Sequence, residues 1–327
     1  MKAAMCRRFG GPEVIAIEDI DEPEAGEGEV LLRVEAAALN FFDTLMIRNK
    51  YQFKPPMPFS PAAEVAGVVE ATGPAATGVK PGDRVLANVR WNGAREKTVA
   101  AASSLTPIPD GVPFEVAAGL TITYGTAMHG LSDRARVRAG DTVAVLGASG
   151  GAGLAAVEIA ALMGARVIAC ASSQDKLALC RAHGAHETIN YTEEDLKQRL
   201  RDLTDGAGAD VVYDCVGGPF AEPAFRSTAW EGRYLVVGFA AGEIPKMPLN
   251  LALLKGASLM GVFWGEFVRR NPEKNSANIA QVVDWVAGGK LKPHVHKVYP
   301  LSQTREALEA IDRREAKGKV VIAPQMK

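Results

Sequence analysis

The chain has 327 residues, with 37 Lys plus Arg against 38 Asp plus Glu and a pI of about 6.6. That length is long for one hydrophobic core and favours two domains with a cleft between them. The near-zero net charge leaves no strong field to collect phosphate backbones, so nucleic acid is not the expected ligand.

From Met1 to about Ile122, short apolar runs (Val30 to Val34, Ala66 to Glu70, Arg84 to Ala87) alternate with Gly-Pro, Pro-Gly-Asp and Pro-Asp-Gly turn signals. This rhythm predicts an all-β module. From about Thr123 it changes to strand, helix, strand, helix, the pattern of a parallel sheet covered on both faces. The predicted strands are Thr142 to Leu146, Arg166 to Cys170, Glu187 to Asn190, Asp210 to Asp214, Tyr234 to Val237 and Leu259 to Phe263, enough for a doubly wound α/β fold. A polar helix follows from near Asn275. The tail adds a strand, a helix (Ser302 to Arg314) and a last strand (Lys319 to Ala323) that return to the first domain. The domains are thus 1–122 with 290–327, and 123–289. The apolar stretch Leu154 to Cys170 is broken by Glu158, Gly164 and Arg166, short of the roughly 20 apolar residues of a membrane helix. No secretion signal is evident, so a cytoplasmic location is expected. Cys6, Cys170, Cys180 and Cys215 lack metal-lobe spacing and read as free thiols.

The run Asp141 to Leu146 leads into Gly147-Ala148-Ser149-Gly150-Gly151-Ala152-Gly153 and then an apolar helix, which is the strand–loop–helix context of dinucleotide binding. In the G-x-G-x-x-G frame Gly150 lets the backbone approach a pyrophosphate and Gly153 permits close helix–strand packing. Ala148 stands at the first glycine position, which requires that its φ not be strongly positive. About 20 residues on, where NAD enzymes keep an acid for the ribose 2′-OH, stands Ala171, followed by Ser172, Ser173 and Lys176. Hydroxyls and a cation suit a 2′-phosphate, so NADPH is the expected cofactor. Ser172 or Ser173 can equally cap the following helix.

The stretches Ala38-Leu-Asn40-Phe-Phe-Asp43-Thr44, Glu64-Val-Ala-Gly67-Val-Val-Glu70, Pro81-Gly-Asp83-Arg84-Val85, Tyr124-Gly-Thr126-Ala127, Ile189-Asn190-Tyr191 and Gly261-Val-Phe-Trp264-Gly265 carry a further reading. With the glycine loop, they make the chain resemble, end to end, the zinc-free quinone oxidoreductase branch of the medium-chain dehydrogenase/reductase family. The resemblance implies a GroES-like, mostly-β catalytic domain joined to a Rossmann NADP(H)-binding domain. It implies that Asn40, Thr44, Thr123 and Thr126 surround the nicotinamide, and that Lys176, Tyr191 and Arg314 surround the 2′-phosphate. Cys215 to Gly217 (with Val216), Gly238-Phe239-Ala240 and Val262-Phe263-Trp264 are implied to wall the ribose and nicotinamide. Asn40 can also be read as a turn residue bonding its own backbone, and Tyr191 as a half-buried strand-end tyrosine. Zinc-dependent relatives place ligands where this chain has Asn40, Ala63 and the Cys-free run Ala117 to Tyr124, so no metal is expected.

The implied chemistry is hydride transfer to a quinone or enone, with Asn40, Tyr51 and Thr126 at the reacting end and water as the proton source. An alkenal or enoyl-thioester reductase fits the same scaffold. A non-catalytic, crystallin-like NADPH-binding protein is the alternative from another class. His129, His183, His186, His294 and His296 are scattered; His294 and His296 read as an exposed strand rather than a metal pair. The apolar run Ser258 to Trp264 reads as the last strand of the sheet, and a bare apolar edge invites pairing with its own copy. The resemblance also implies such a homodimer.

Overall fold

In the computed structural model, which describes residues 1–326, the first part of the chain forms β1 (Lys2–Cys6), β2 (Ile15–Asp19), β3 (Glu29–Leu39), α1 (Phe41–Met46), β4 (Glu64–Thr72), β5 (Arg84–Asn88), β6 (Lys97–Ala101), β7 (Leu105–Pro107) and α2 (Phe114–Ala117). There follow α3 (Gly125–Met128), β8 (Thr142–Leu146), α4 (Gly151–Leu162), β9 (Arg166–Ala171), α5 (Gln174–Ala182), β10 (Glu187–Asn190), α6 (Leu196–Leu203), β11 (Ala209–Asp214), α7 (Ala221–Arg226), β12 (Thr228–Val236), α8 (Leu249–Lys255), β13 (Ser258–Gly261), α9 (Trp264–Arg270) and α10 (Pro272–Ala287). The tail is β14 (Val295–Pro300), α11 (Thr304–Asp312) and β15 (Lys319–Ala323).

The GroES-like part is organised by β3, whose Val30, Leu32 and Val34 are fully buried at period two, as a strand with one face on a core must be. β4 lies antiparallel along its length, while β6 pairs with its first half and β15 with its last residues, giving the order β14-β15-β3-β4-β5-β7. The β15 pairing places Lys319 beside the end of β3, from which Asn40 projects at the start of α1.

The Rossmann part is a parallel sheet in the order β10-β9-β8-β11-β12-β13. β8 and β11 are neighbours at the point where the strand order reverses, the place where such sheets bind ligands beyond their carboxyl ends. Helix α4 behind the glycine loop buries Leu154 through Ala160, because it is apolar nearly all round.

Three elements depart from the sequence reading. β12 begins at Thr228, not Tyr234, since the Glu231-Gly232 irregularity (Glu231 φ 58°) interrupts the apolar run, and the regular ladder resumes at Arg233. The last strand stops at Gly261 instead of reaching Trp264, which opens α9; Glu266 in its first turn and Arg269 and Arg270 in its last complement the helix dipole. Helix α10 starts three residues before Asn275, at Pro272, a residue preorganised for a first helical turn.

Two compact units result: Met1–Ile122 with Ile279–Gly289 and Pro293–Lys327, and Thr123–Asn278 with Lys290–Lys292. The second half of α10, whose Ile279, Val282 and Val283 are apolar and buried, counts with the first unit. No helix among the described residues is long and apolar enough to cross a membrane.

Candidate active site

The glycine loop is built by close approach. A Cβ on Gly153 would lie 2.1 Å from the carbonyl oxygen of Gly147, so only glycine lets α4 start this near β8. The positive φ of the loop falls on Gly147 (69°), whose missing Cβ makes way for Val216 Cγ2 at 2.8 Å, while Ala148 avoids the left-handed region. Ala148 N–H donates to the Cys170 carbonyl at 3.1 Å, tying the loop to β9. Gly150 holds the N-cap position of α4 in extended conformation, with Gly151, Ala152 and Gly153 forming the first turn and Ser149 buried beside them. A cradle of backbone N–H groups, free of side chains at the points of closest approach, is what a pyrophosphate requires.

Beyond β9 and β10 the structure brings Ser172, Lys176 and Tyr191 together. Lys176 Nζ donates to Ser172 Oγ at 3.2 Å, Tyr191 N–H to the Ala171 carbonyl at 3.2 Å, and Thr192 Oγ1 to the Ser172 carbonyl at 3.3 Å. The Tyr191 ring packs on Phe220, with centroids 4.4 Å apart. Ser173 stands at the N-cap of α5, yet its hydroxyl bonds the Asp175 carboxylate and makes no capping bond. Arg314 belongs to the other unit, exposed in the turn after α11 with φ 57°.

The wall after β11 and β12 is held by Asp214, whose Oδ1 accepts from Val216 N–H (2.7 Å) and Gly217 N–H (2.9 Å). Gly238 N–H returns to the Asp214 carbonyl at 3.2 Å and Ala240 N–H to the Cys215 carbonyl at 3.1 Å; a Cβ on Gly217 would meet Phe239 Cδ1 at 2.8 Å. Phe263 is exposed, whereas Trp264 turns inward and its indole N–H donates to Asn275 Oδ1 at 3.1 Å. Thr123 is buried in the helical turn that precedes α3, and Thr126, within α3, is half-buried. That segment is pinned to α4 by a short hydrogen bond from the Tyr124 hydroxyl to buried Glu158.

In the GroES-like unit the Asn40 amide bridges an ion pair. Its Nδ2 donates to Glu64 Oε1 at 3.0 Å, and its Oδ1 accepts from Lys319 Nζ at 2.6 Å, while Lys319 also donates to Glu64 Oε1 at 2.8 Å and to the Leu39 carbonyl at 3.2 Å. Glu64 Oε2 accepts from Thr121 Oγ1 (2.7 Å) and Ile122 N–H (2.8 Å). Thr44 is buried and donates to the Phe41 carbonyl at 2.8 Å; Tyr51 is half-buried and stacked on Phe42, centroids 5.1 Å apart.

Two family models match the chain, an alcohol dehydrogenase GroES-like domain over residues 26–124 and a zinc-binding dehydrogenase domain over residues 151–287. A quinone oxidoreductase-like protein 2 homolog of Nematostella vectensis is 38% identical over 98% of this chain and 88% of its own length. A quinone oxidoreductase of Pseudomonas aeruginosa is 33% identical over 97% of each chain. A mycobacterial protein solved in complex with NADPH superposes with a TM-score of 0.92 at 32% identity, over 99% of this chain and 100% of the other. The chain belongs to the quinone oxidoreductase branch of the medium-chain dehydrogenase/reductase family.

In this quinone oxidoreductase-type chain, several charged residues that hold the site carried no signal of their own in the sequence. Glu158 read only as a break in an apolar helix, yet it gathers Tyr124, His183 Nδ1 (2.9 Å) and Lys292 N–H (3.1 Å). Lys319 read only as the start of a strand. Asp43, in the first turn of α1, is fully buried, its carboxylate accepting from the N–H groups of Asn40 (2.7 Å) and Ala62 (2.9 Å).

Burial pushes the Asp43 carboxyl up to about 7, against those two N–H bonds and the nearby Lys319 charge, which favour ionisation. An unfolded aspartate titrates near 3.9, so across the window from about 4 to about 7 the folded chain keeps a proton that the unfolded chain releases. The Asp43 contribution to stability is therefore greatest below that window, falls as pH rises through it, and is flat above. In thermal melts from pH 4 to 8, Asp43→Asn should be less stable than the parent at low pH, having lost one acceptor, and the gap should narrow toward pH 7. A gap independent of pH would refute the assignment.

Proposed function

We propose that this oxidoreductase uses NADPH to reduce a quinone or a related α,β-unsaturated carbonyl compound, without a metal. The observation that carries the metal-free part is Lys319. Its ammonium lies 2.6 Å from Asn40 Oδ1, at the residue standing where zinc-dependent relatives of the family keep a ligand, and a resident cation there repels a second one. Ala63, standing at another ligand position, has no coordinating atom in its side chain.

When bound, NADPH supplies the hydride. The residues of the chain bind, orient and exclude water. The Gly147–Gly153 backbone and the N-terminus of α4 suit the pyrophosphate, and Lys176 with Ser172 suits a 2′-phosphate, where no acid follows β9 before Asp175. Asp214 fixes the wall formed by Val216 and Gly217. Quinones and enones spread the arriving charge themselves, so protonation from water suffices. An acceptor panel tests the reading: with NADPH, simple quinones should turn over with the highest kcat/KM, ahead of alkenals and enoyl thioesters, and primary alcohols should not be oxidised with NADP⁺. Preference for an enoyl thioester would transfer the assignment to that class, and turnover of alcohols alone would reject it.

The proposal includes a homodimer. In the Rossmann unit β13 is an uncovered edge: Ser258, Leu259 and Gly261 are exposed and Met260 is half-buried, so the burial on both faces expected for this strand is not present within one chain. Exposed Leu249, Leu253 and Leu254 on α8, with Trp230 on β12, extend the apolar surface. A second copy, pairing edge to edge about a two-fold axis, covers both.

A further inference from the structure

The Lys319–Glu64 pair is buried as few ion pairs are, with side-chain exposures of 5% and 0%, and its environment is built for it. A Cβ on Gly119 would stand 2.9 Å from Lys319 Cγ and 3.2 Å from its Cε, so glycine at 119 makes the channel for the lysine stem. All three ammonium donor directions end on oxygen: Asn40 Oδ1, Glu64 Oε1 and the Leu39 carbonyl. Desolvating two charges is expensive, and an apolar pair of the same volume commonly serves stability as well or better. The arrangement has a specific result at Asn40. An ammonium has only donors and a carboxylate only acceptors, so the amide wedged between them has one permitted orientation, oxygen to Lys319 and nitrogen to Glu64. Hydrogen bonding of the amide oxygen to a cation also withdraws charge from the amide nitrogen and strengthens its N–H groups as donors. An amide nitrogen carries two hydrogens, and Glu64 takes one.

We infer that Lys319 and Glu64 are positioning residues that orient and polarise Asn40 so that its second N–H donates to the carbonyl oxygen of the acceptor. This rests on the reductase reading above. In the reduction a hydride bonds to the acceptor carbon, the π pair moves onto the carbonyl oxygen, and that oxygen takes a proton from water. The Asn40 N–H stabilises the oxygen while it carries the charge.

The test is a double-mutant cycle in the full-length protein with Lys319→Met, Asn40→Ala and the pair. It is read by kcat on a quinone and on a less reactive enone, by NADPH affinity from fluorescence, and by binding of 4-nitrophenolate as an oxyanion probe. The expected results are a kcat loss of about 10- to 100-fold in Lys319→Met, larger for the enone, weaker 4-nitrophenolate binding, and unchanged NADPH affinity. The double variant should be no worse than Asn40→Ala, because Lys319 acts through the amide. Additive losses, or equal losses on both acceptors with unchanged 4-nitrophenolate binding, would overturn the inference. A fall in NADPH affinity alone would also overturn it, by directing the N–H to the cofactor. If Lys319→Met does not fold, Gly119→Ala displaces the same ammonium by crowding its stem, and the same cycle is run with it. Absence of turnover in the parent protein on every acceptor would be a failure of the reductase reading instead, and 4-nitrophenolate binding would still decide the role of Lys319.

Discussion

Lys176→Ala is expected to weaken NADPH binding by roughly 1.5–3 kcal/mol, about 10- to 150-fold, and to leave NADH almost unchanged. The lysine sits in the first turn of α5 and reaches back 3.2 Å to Ser172 Oγ, directly after the β9 residue Ala171 at the place where an NAD enzyme keeps its acid. A charge-assisted bond to a phosphate is lost with the side chain, and the ribose hydroxyl of NADH has no such bond to lose. Titration of both cofactors against parent and variant reads the difference. Equal losses would show that Lys176 shapes the pocket without discriminating between them.

Leu259→Lys is expected to convert a dimer into a folded monomer. Leu259 is exposed at 37% on a four-residue edge strand whose register places it beside Tyr234, so a lysine there reaches solvent without disturbing the core of its own chain. On the edge it puts like charges against each other across a two-fold axis, the device natural sheets use to prevent edge pairing. Light scattering on both proteins, with far-UV circular dichroism to confirm folding, gives the answer. A single-chain mass for the parent protein would refute the proposed dimer.

The Rossmann sheet was legible because buried parallel strands are nearly continuous apolar runs, and Thr142–Leu146 stands in the structure at the residues expected. The glycine loop was legible for a different reason: Gly147 and Gly153 answer close approaches, and that at Gly153 allows no other side chain. What sequence reading lost were short polar elements whose support is not local. α9 follows its strand at Trp264 without a turn residue, and the start of β12 is hidden by a polar interruption. The charged network lost its signal for the same reason. Glu64 and Lys319 are 255 positions apart, and the antiparallel pairing of both β4 and β15 with the end of β3 makes them neighbours. Asn40 and Glu64, by contrast, each stand in a quoted motif, while Lys319, which meets both, does not.

We propose that hydride transfer here proceeds without zinc, with an internal ammonium beside Asn40 in place of a metal. Elemental analysis of the purified protein, paired with NADPH-dependent quinone reduction before and after exhaustive chelation, tests it most directly. The expected result is no stoichiometric zinc and undiminished turnover after chelation; a bound zinc whose removal abolishes turnover, and whose return restores it, would refute the proposal.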